Sequence, residues 1–208
     1  MLLVLASQSP ARLQVLRSAG VEPSVHVSGV DEDALMATLH EDAAPETVVV
    51  ALAEAKARTV AEEVAARYPD SVVVGCDSML AHDGVLVGKP GTPEVARQRW
   101  LGMVGGTGVL LTGHSVIRVQ DGALGAIASG TASTTVHFGS PSPAEIDAYV
   151  ATGEPLSVAG GFTIDGKGGW FVDGVDGDPS SVIGLSLPLT RRLLIEIGVS
   201  VVDLWQAR

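Results

Sequence analysis

Several charged side chains stand where local stability gives little reason for them, and each has a chemical reading. Arg12 falls in the first turn of a helix that Ser9 and Pro10 open, as N-cap and first helical position. A carboxylate suits a helix start better, whereas free N–H groups together with an arginine suit a bound anion. The alternative is a solvated arginine on an edge helix. Lys56 lies midway along an apolar stripe of Val49, Leu52, Val60 and Val64. An ammonium directed at a buried face is costly unless it meets an anion, although a lysine at the stripe edge can reach water. Asp77 follows the apolar run Ser71–Cys76, and a carboxylate at the carboxyl end of a central strand is a candidate base or metal ligand rather than only a turn former. Lys89 sits in Gly88-Lys89-Pro90, where Pro90 holds it extended and projects the amine from a stiff segment. Asp31, Glu32 and Asp33 form either a solvated turn or, through one of them, an oxygen ligand for a divalent cation.

The elements that must position these groups follow from periodicity. Leu2–Ala6 reads as a buried strand, and the helix after it stops at Ala19-Gly20. Pro23 to Ser28, with Val25 and Val27 alternating, reads as a half-buried strand. Pro45 to Tyr68 is a long helix closed by Pro69, and Ser71–Cys76 is a strand covered on both faces. Met79 to Val87 makes a hairpin about Asp83-Gly84, and Thr92 to Met103 a helix capped by Thr92. Thr107 to Val119 and Ala123 to Phe138 are long antiparallel strands joined at Gln120-Asp121-Gly122. Ser142 to Thr152 is a helix whose Ser142 and Glu145 have the form of a capping box. The glycine-rich reach from Ala159 to Trp170 suits either a backbone close to a ligand or a surface loop. A helix from Pro188 to Ile197 and a last strand at Val199 to Val202 close the chain. The order predicts an α/β protein with a mixed sheet. His114 and His137 lie in strand patterns without ligand spacing, and Cys76 reads as a small buried hydrophobe.

Composition narrows the partners. With 208 residues, 46% hydrophobic and 18% charged, the chain can bury a core as one domain, 1–208, or as two closely packed lobes without a separable linker. A net charge of −11 argues against a nucleic-acid polymer or an anionic membrane, so any anionic ligand is small and held by a local cluster. Lysine is confined to Lys56, Lys89 and Lys167, which makes each placement informative. One cysteine suits a reducing compartment, and with no secretory signal or membrane span the expected location is cytoplasmic.

Seven segments, taken in order and with their spacing, carry a family resemblance. They are LASQSP with Arg12, VDE at Val30 to Glu32, ALAEAKA at Ala51 to Ala57, VVVGCDS ending at Ser78, GKP at Gly88 to Pro90, AGGFTIDG at Ala159 to Gly166, and SSVIGLSLPL from Ser180. Together they resemble the Maf family of nucleoside triphosphate pyrophosphatases over nearly the whole chain. The resemblance implies the Maf/ITPase-like fold: α/β, a long mixed β-sheet flanked by helices, two lobes with a central cleft, commonly in a homodimer. It implies hydrolysis of a nucleoside triphosphate to the monophosphate and pyrophosphate with Mg²⁺ or Mn²⁺, linked to clearing non-standard nucleotides and to arrest of division. Carried over by residue, Asp77 is the proton acceptor for water. Ser7, Ser9, Arg12, Lys56 and Lys89 bind the triphosphate, and Glu32 with Asp77 holds metal. Three positions depart from the family pattern: Ala11 replaces the first of a paired arginine, Val158 a lysine, and Asp165 the glutamine of the pyrimidine branch. Asp165 is the candidate base reader, since a carboxylate accepts from N–H edges and repels carbonyl edges. The preferred base, dTTP or UTP against 7-methyl-GTP, stays open. A regulator of division that binds nucleotide with little turnover is the second functional class.

Overall fold

Short apolar runs alternating with amphipathic helices require a sheet covered by helices. The computed structural model, which describes residues 1–40 and 42–205, has that architecture. The chain runs β1 (Leu2–Ala6), α1 (Pro10–Ser18), β2 (Ser24–His26), α2 (Glu32–Met36), α3 (Pro45–Val64), β3 (Ser71–His82), β4 (Val85–Val87) and α4 (Pro93–Met103). It continues through β5 (Thr107–Gln120), β6 (Ala123–Phe138), α5 (Pro143–Ala151), β7 (Val172–Asp176), α6 (Pro179–Ile183) and α7 (Leu187–Glu196), with short 3₁₀ turns between. The strands form one mixed sheet in the order β2-β1-β3-β5-β6-β7, with β4 paired to β3. β1 is parallel to both β2 and β3, while β3–β4 and β6–β7 are antiparallel.

Backbone contacts divide the chain into two compact units. The first comprises Met1–Asp77, Thr112–Ala132 and Gly184–Arg208. Its core packs Val4, Val73 and Ile117 from the sheet against Ala57, Val60 and Val64 of α3. Two glycines let that helix lie on the strands. A Cβ at Gly75 would stand 2.4 Å from the Ala53 carbonyl oxygen, and one at Gly113 would stand 2.1 Å from that of Val49. His114 of β5 is buried, its Nδ1 2.9 Å from the Thr112 carbonyl and its Nε2 accepting at 2.8 Å from the N–H of Ser186, the N-cap of α7, so it is a satisfied core histidine. The second unit comprises Ser78–Leu111 and Ser133–Ile183. Its core centres on Trp100, edge-on to Phe138, Tyr149 and Phe171, with Nε1 donating to the Gly161 carbonyl at 2.8 Å.

Four boundaries differ from the sequence expectation. The long helix ends at Val64, four residues before Tyr68. Pro69 disfavours helical geometry at Tyr68, and Arg67 N–H closes on the Val64 carbonyl in a tighter turn. β3 does not stop at Cys76 but runs on through Asp77 to His82, because the hairpin to β4 continues the same strand. β2 covers only Ser24–His26, and Val25 and Val27 are exposed rather than half-buried. No strand forms at Val199 to Val202. Gly198, at φ 73°, ends α7 with Val199 N–H bonded to the Leu194 carbonyl, and Ser200 then caps a 3₁₀ turn, so the amides are satisfied locally. Helix α2 and the pair β7 and α6 were not expected at all. Among the described residues no helix is long and apolar enough to cross a membrane.

Candidate active site

The turn between β1 and α1 is built by two serines. Ser9 caps the helix, its Oγ accepting from Arg12 N–H at 3.4 Å, and Ser7 Oγ accepts from Ser9 N–H at 3.2 Å. Arg12 is not a solvated edge residue. Its Nη1 donates to Ser7 Oγ at 3.1 Å and to the Cys76 carbonyl at 2.8 Å, and its Nε donates to the Gly184 carbonyl at 2.8 Å. The guanidinium is thereby fastened to β3 at the residue before Asp77. Gly184 is required there: its φ is 124°, and a Cβ would lie 3.2 Å from Arg12 Nε.

Lys56 finds the anionic partner its position demanded. Its Nζ donates to Asp77 Oδ1 at 2.6 Å and pairs with Glu32 Oε1 at 2.7 Å. Lys56 is 8% exposed and Asp77 7% exposed, whereas the Glu32 side chain is 44% exposed. Two carboxylates meet the ammonium, so its charge is not stranded mid-stripe; removing one partner of so buried a pair typically costs about 3–5 kcal/mol because the other charge is left uncompensated. Of the three carboxylates after β2, Asp31 caps α2 by accepting from Ala34 N–H at 2.9 Å, Asp33 is exposed, and Glu32 alone turns to the lysine. Asp77 is within β3 rather than at its end. The parallel ladder with β1 ends at Val74, however, so the carboxylate still lies beyond the carboxyl end of that ladder.

Cys76 is wholly buried, and burial pushes its thiol up to about 11, with Asp77 adding to the rise and Arg12 and Lys56 opposing it. The protonated thiol is favoured in the folded state, so its contribution to stability is complete below the unfolded thiol value of about 8.5 and is lost as pH rises through about 11. The native protein is expected to resist iodoacetamide at pH 8 and to take up one equivalent on denaturation, as read by intact mass. Rapid labelling of the native protein would show that this strand opens.

The structure gathers Ser7, Ser9, Arg12, Lys56, Glu32 and Asp77 in the first unit. Lys89 and Asp165 belong to the second. Lys89 is exposed in the segment after β4. That segment is held by Arg99, which donates to the Gly88 carbonyl at 2.6 Å, and by Gly160 N–H on the same oxygen at 3.2 Å. Asp165 is exposed in the glycine-rich loop. Sequence reasoning missed the residue that shapes this loop. Glu154 accepts from Thr163 Oγ1 at 2.6 Å, Gly168 N–H at 3.0 Å, Tyr149 Oη at 3.1 Å and Lys167 N–H at 3.2 Å. Burial pushes its carboxyl up, but these donors together outweigh burial and hold it below the usual carboxylate range. Its signal in the sequence is slight: one carboxylate ahead of a run of glycines.

The donor set of the first unit suits a hard divalent cation, since Mg²⁺ is bound through one or two carboxylates together with substrate phosphates. Glu32 and Asp77 meet at one ammonium and are therefore close neighbours. Among the described residues no group of three or more His, Cys, Asp or Glu side chains forms a complete metal cage.

A mixed sheet flanked by helices, with an anchored arginine at a helix start and a lysine held between two carboxylates, defines an α/β protein with charged side chains gathered beside the end of its parallel ladder. The chain belongs to the Maf-like protein family, whose sequence profile matches residues 2–197. Close relatives share most of their length with it. A protein of Saccharopolyspora erythraea is 63% identical over 203 residues, covering 97% of this chain and 96% of the relative. One of Nocardia farcinica is 61% identical over 204 residues (98% and 96%), and one of Rhodococcus opacus is 62% identical over 203 residues (97% and 95%). Each of the three is named a nucleoside triphosphate pyrophosphatase.

Proposed function

We propose that this protein is a nucleoside triphosphate pyrophosphatase. It hydrolyses a ribo- or deoxyribonucleoside triphosphate to the monophosphate and pyrophosphate. The observation that carries this reading is the Lys56 ammonium held between Asp77 and Glu32, with Arg12 anchored one residue from Asp77. Family membership and the relatives' names support it.

Ser7, Ser9, Arg12, Lys56 and Lys89 hold the triphosphate, and fixed cations lower the barrier where charge gathers on phosphoryl oxygens. Asp77 accepts a proton from water as the water oxygen bonds to the α-phosphorus. The bond from that phosphorus to the bridging oxygen breaks, and pyrophosphate leaves with the electron pair. Glu32 and Asp77 would hold a divalent cation, Mg²⁺ or Mn²⁺, which would supply Lewis-acid stabilisation of phosphoryl charge. Asp165 reads the base. The enzyme acts in the cytoplasm, as a homodimer, on non-canonical or excess nucleotides.

The test is pyrophosphate release from dTTP, UTP, CTP, GTP and 7-methyl-GTP with Mg²⁺ or Mn²⁺. Release is expected from at least one nucleotide, lost with a chelator and restored by metal. Binding of nucleotide without release from any of them would favour a regulator instead.

A further inference from the structure

Asp165 stands just before a 3₁₀ turn at Lys167–Phe171, on a stretch that one carboxylate outside it ties together. Residues 163–168 contain Gly166 and Gly168, the first wedged against Glu154 itself and the second against Tyr149, one of the donors to Glu154. A Cβ at Gly166 would lie 2.8 Å from Glu154 Oε1 and from Thr163 Oγ1, and one at Gly168 would lie 2.5 Å from Tyr149 Oη. Glu154 follows the end of α5 by three residues and reaches the loop at both ends. Oε1 receives Thr163 before Asp165 and Gly168 after it, together with the Tyr149 hydroxyl, while Oε2 receives Lys167 N–H. Asp165, Gly166 and Lys167 are left exposed on the outer side of this clasp. Burial pushes the Tyr149 phenol well above its usual value, so it stays a donor to the carboxylate.

A carboxylate is the side chain this clasp needs. It offers acceptors on both oxygens, and hydrogen bonds to a charged acceptor are stronger than neutral ones. Glutamine fills the same space, but its NH₂ would face Lys167 N–H or the three donors at the other oxygen. The loop would lose its fixed end beside Asp165 while the core of Trp100, Phe138 and Phe171 kept its packing. A reading carboxylate discriminates bases only if its position is fixed, because recognition depends on hydrogen bonds in defined directions.

We propose that Glu154 is the positioning residue for nucleobase selectivity, clasping the 163–168 loop so that Asp165 is presented in one place. This rests on Asp165 reading the base, as argued above. Its effect falls on discrimination between nucleotides rather than on the phosphoryl chemistry.

The experiment compares the full-length protein with Glu154→Gln, and with Thr163→Val should the first variant fail to fold. Two readouts are taken: the ratio of kcat/KM, and of binding constants, between the preferred and the next-best nucleotide, and the rate of tryptic cleavage after Lys167 followed by mass. The selectivity ratio is expected to fall about tenfold, through KM more than kcat, the worth of one charge-assisted hydrogen bond. Cleavage after Lys167 is expected to quicken by a similar factor. An unchanged ratio overturns the proposal whether or not cleavage quickens, since faster cleavage alone makes Glu154 purely structural. If the unsubstituted protein releases no pyrophosphate, the proposed activity fails, and the binding ratio still decides the role of Glu154.

Discussion

Asp77→Asn is expected to lower kcat for pyrophosphate release by a factor of about 10²–10⁴, the usual contribution of a positioned general base. Nucleotide binding should change far less. The substitution keeps the shape of the side chain and an oxygen that can still accept from Lys56 Nζ, now 2.6 Å from Asp77 Oδ1. The ammonium also retains Glu32, at 2.7 Å, so no buried cation is stranded. What is lost is the capacity to take a proton and one charged ligand for metal. Exchanging an ion-paired hydrogen bond for one in which only the lysine is charged costs about 1–2 kcal/mol, and the melting temperature should fall by only about 2–8 °C. Initial rates, nucleotide titration and a melt on the same preparation separate these effects. Full turnover in a folded Asp77→Asn protein would remove Asp77 from the mechanism. A rate loss matched by loss of folded protein would make the residue structural.

Gly75→Ala is the second large effect, and it acts on the same site from behind. A methyl group there would sit 2.4 Å from the Ala53 carbonyl oxygen, 2.7 Å from Ala57 N and 2.9 Å from Ala57 Cβ. Two of these three neighbours are backbone of α3, so the clash is relieved only if the helix lifts from β3. Overpacking of this kind costs about 1–3 kcal/mol, or roughly 2–4 °C per kcal/mol in a chain of this length. Lys56 immediately precedes Ala57, so lifting α3 also draws the ammonium away from Asp77. Turnover should therefore fall in the fraction that remains folded. Gly102→Ala is the control: Gly102 lies inside α4 with open space about its Cβ position, and alanine there is expected to stabilise by about 0.5–1 kcal/mol. Equal melting temperatures for Gly75→Ala and the unsubstituted protein would show that the contact between α3 and β3 yields without cost.

Arg12 and Lys56 were legible because each contradicts its own neighbourhood, a cation at a helix start and a cation in an apolar stripe. The caps were legible for a related reason: Ser9, Thr92 and Ser142 act within three residues of themselves. What failed depended on partners distant in the chain. Asp77 was read as the end of a strand because a charge beside an apolar run marks a boundary, yet the hairpin to β4 carries β3 onward while Lys56, 21 residues earlier, compensates that charge. β7 and α6 were missed because their short polar segments are secured by His137 with Asp176 and by Thr134 with Ser181, pairs separated by 39 and 47 residues. The strand expected after α7 shows the reverse error: apolar β-branched residues were present, but a glycine and a serine met their amides locally. Glu154 has its donors on three separate stretches, and no spacing rule joins them.

The exposed Val25 of β2, with Val27 just beyond it, bears on what the margin of the sheet offers to another strand. An open sheet ends in unpaired N–H and C=O groups, and apolar side chains beside them invite a second chain to add as a further strand. Here that margin is only Ser24–His26. At about 3.3 Å per residue it offers roughly 10 Å of template, too little to secure an incoming strand. At the other margin, β7 has Asp173, Gly174 and Asp176 among its five residues. Brevity limits the template on one side of the sheet and negative charge opposes pairing on the other, which lowers the tendency of the exposed valines to recruit a further strand.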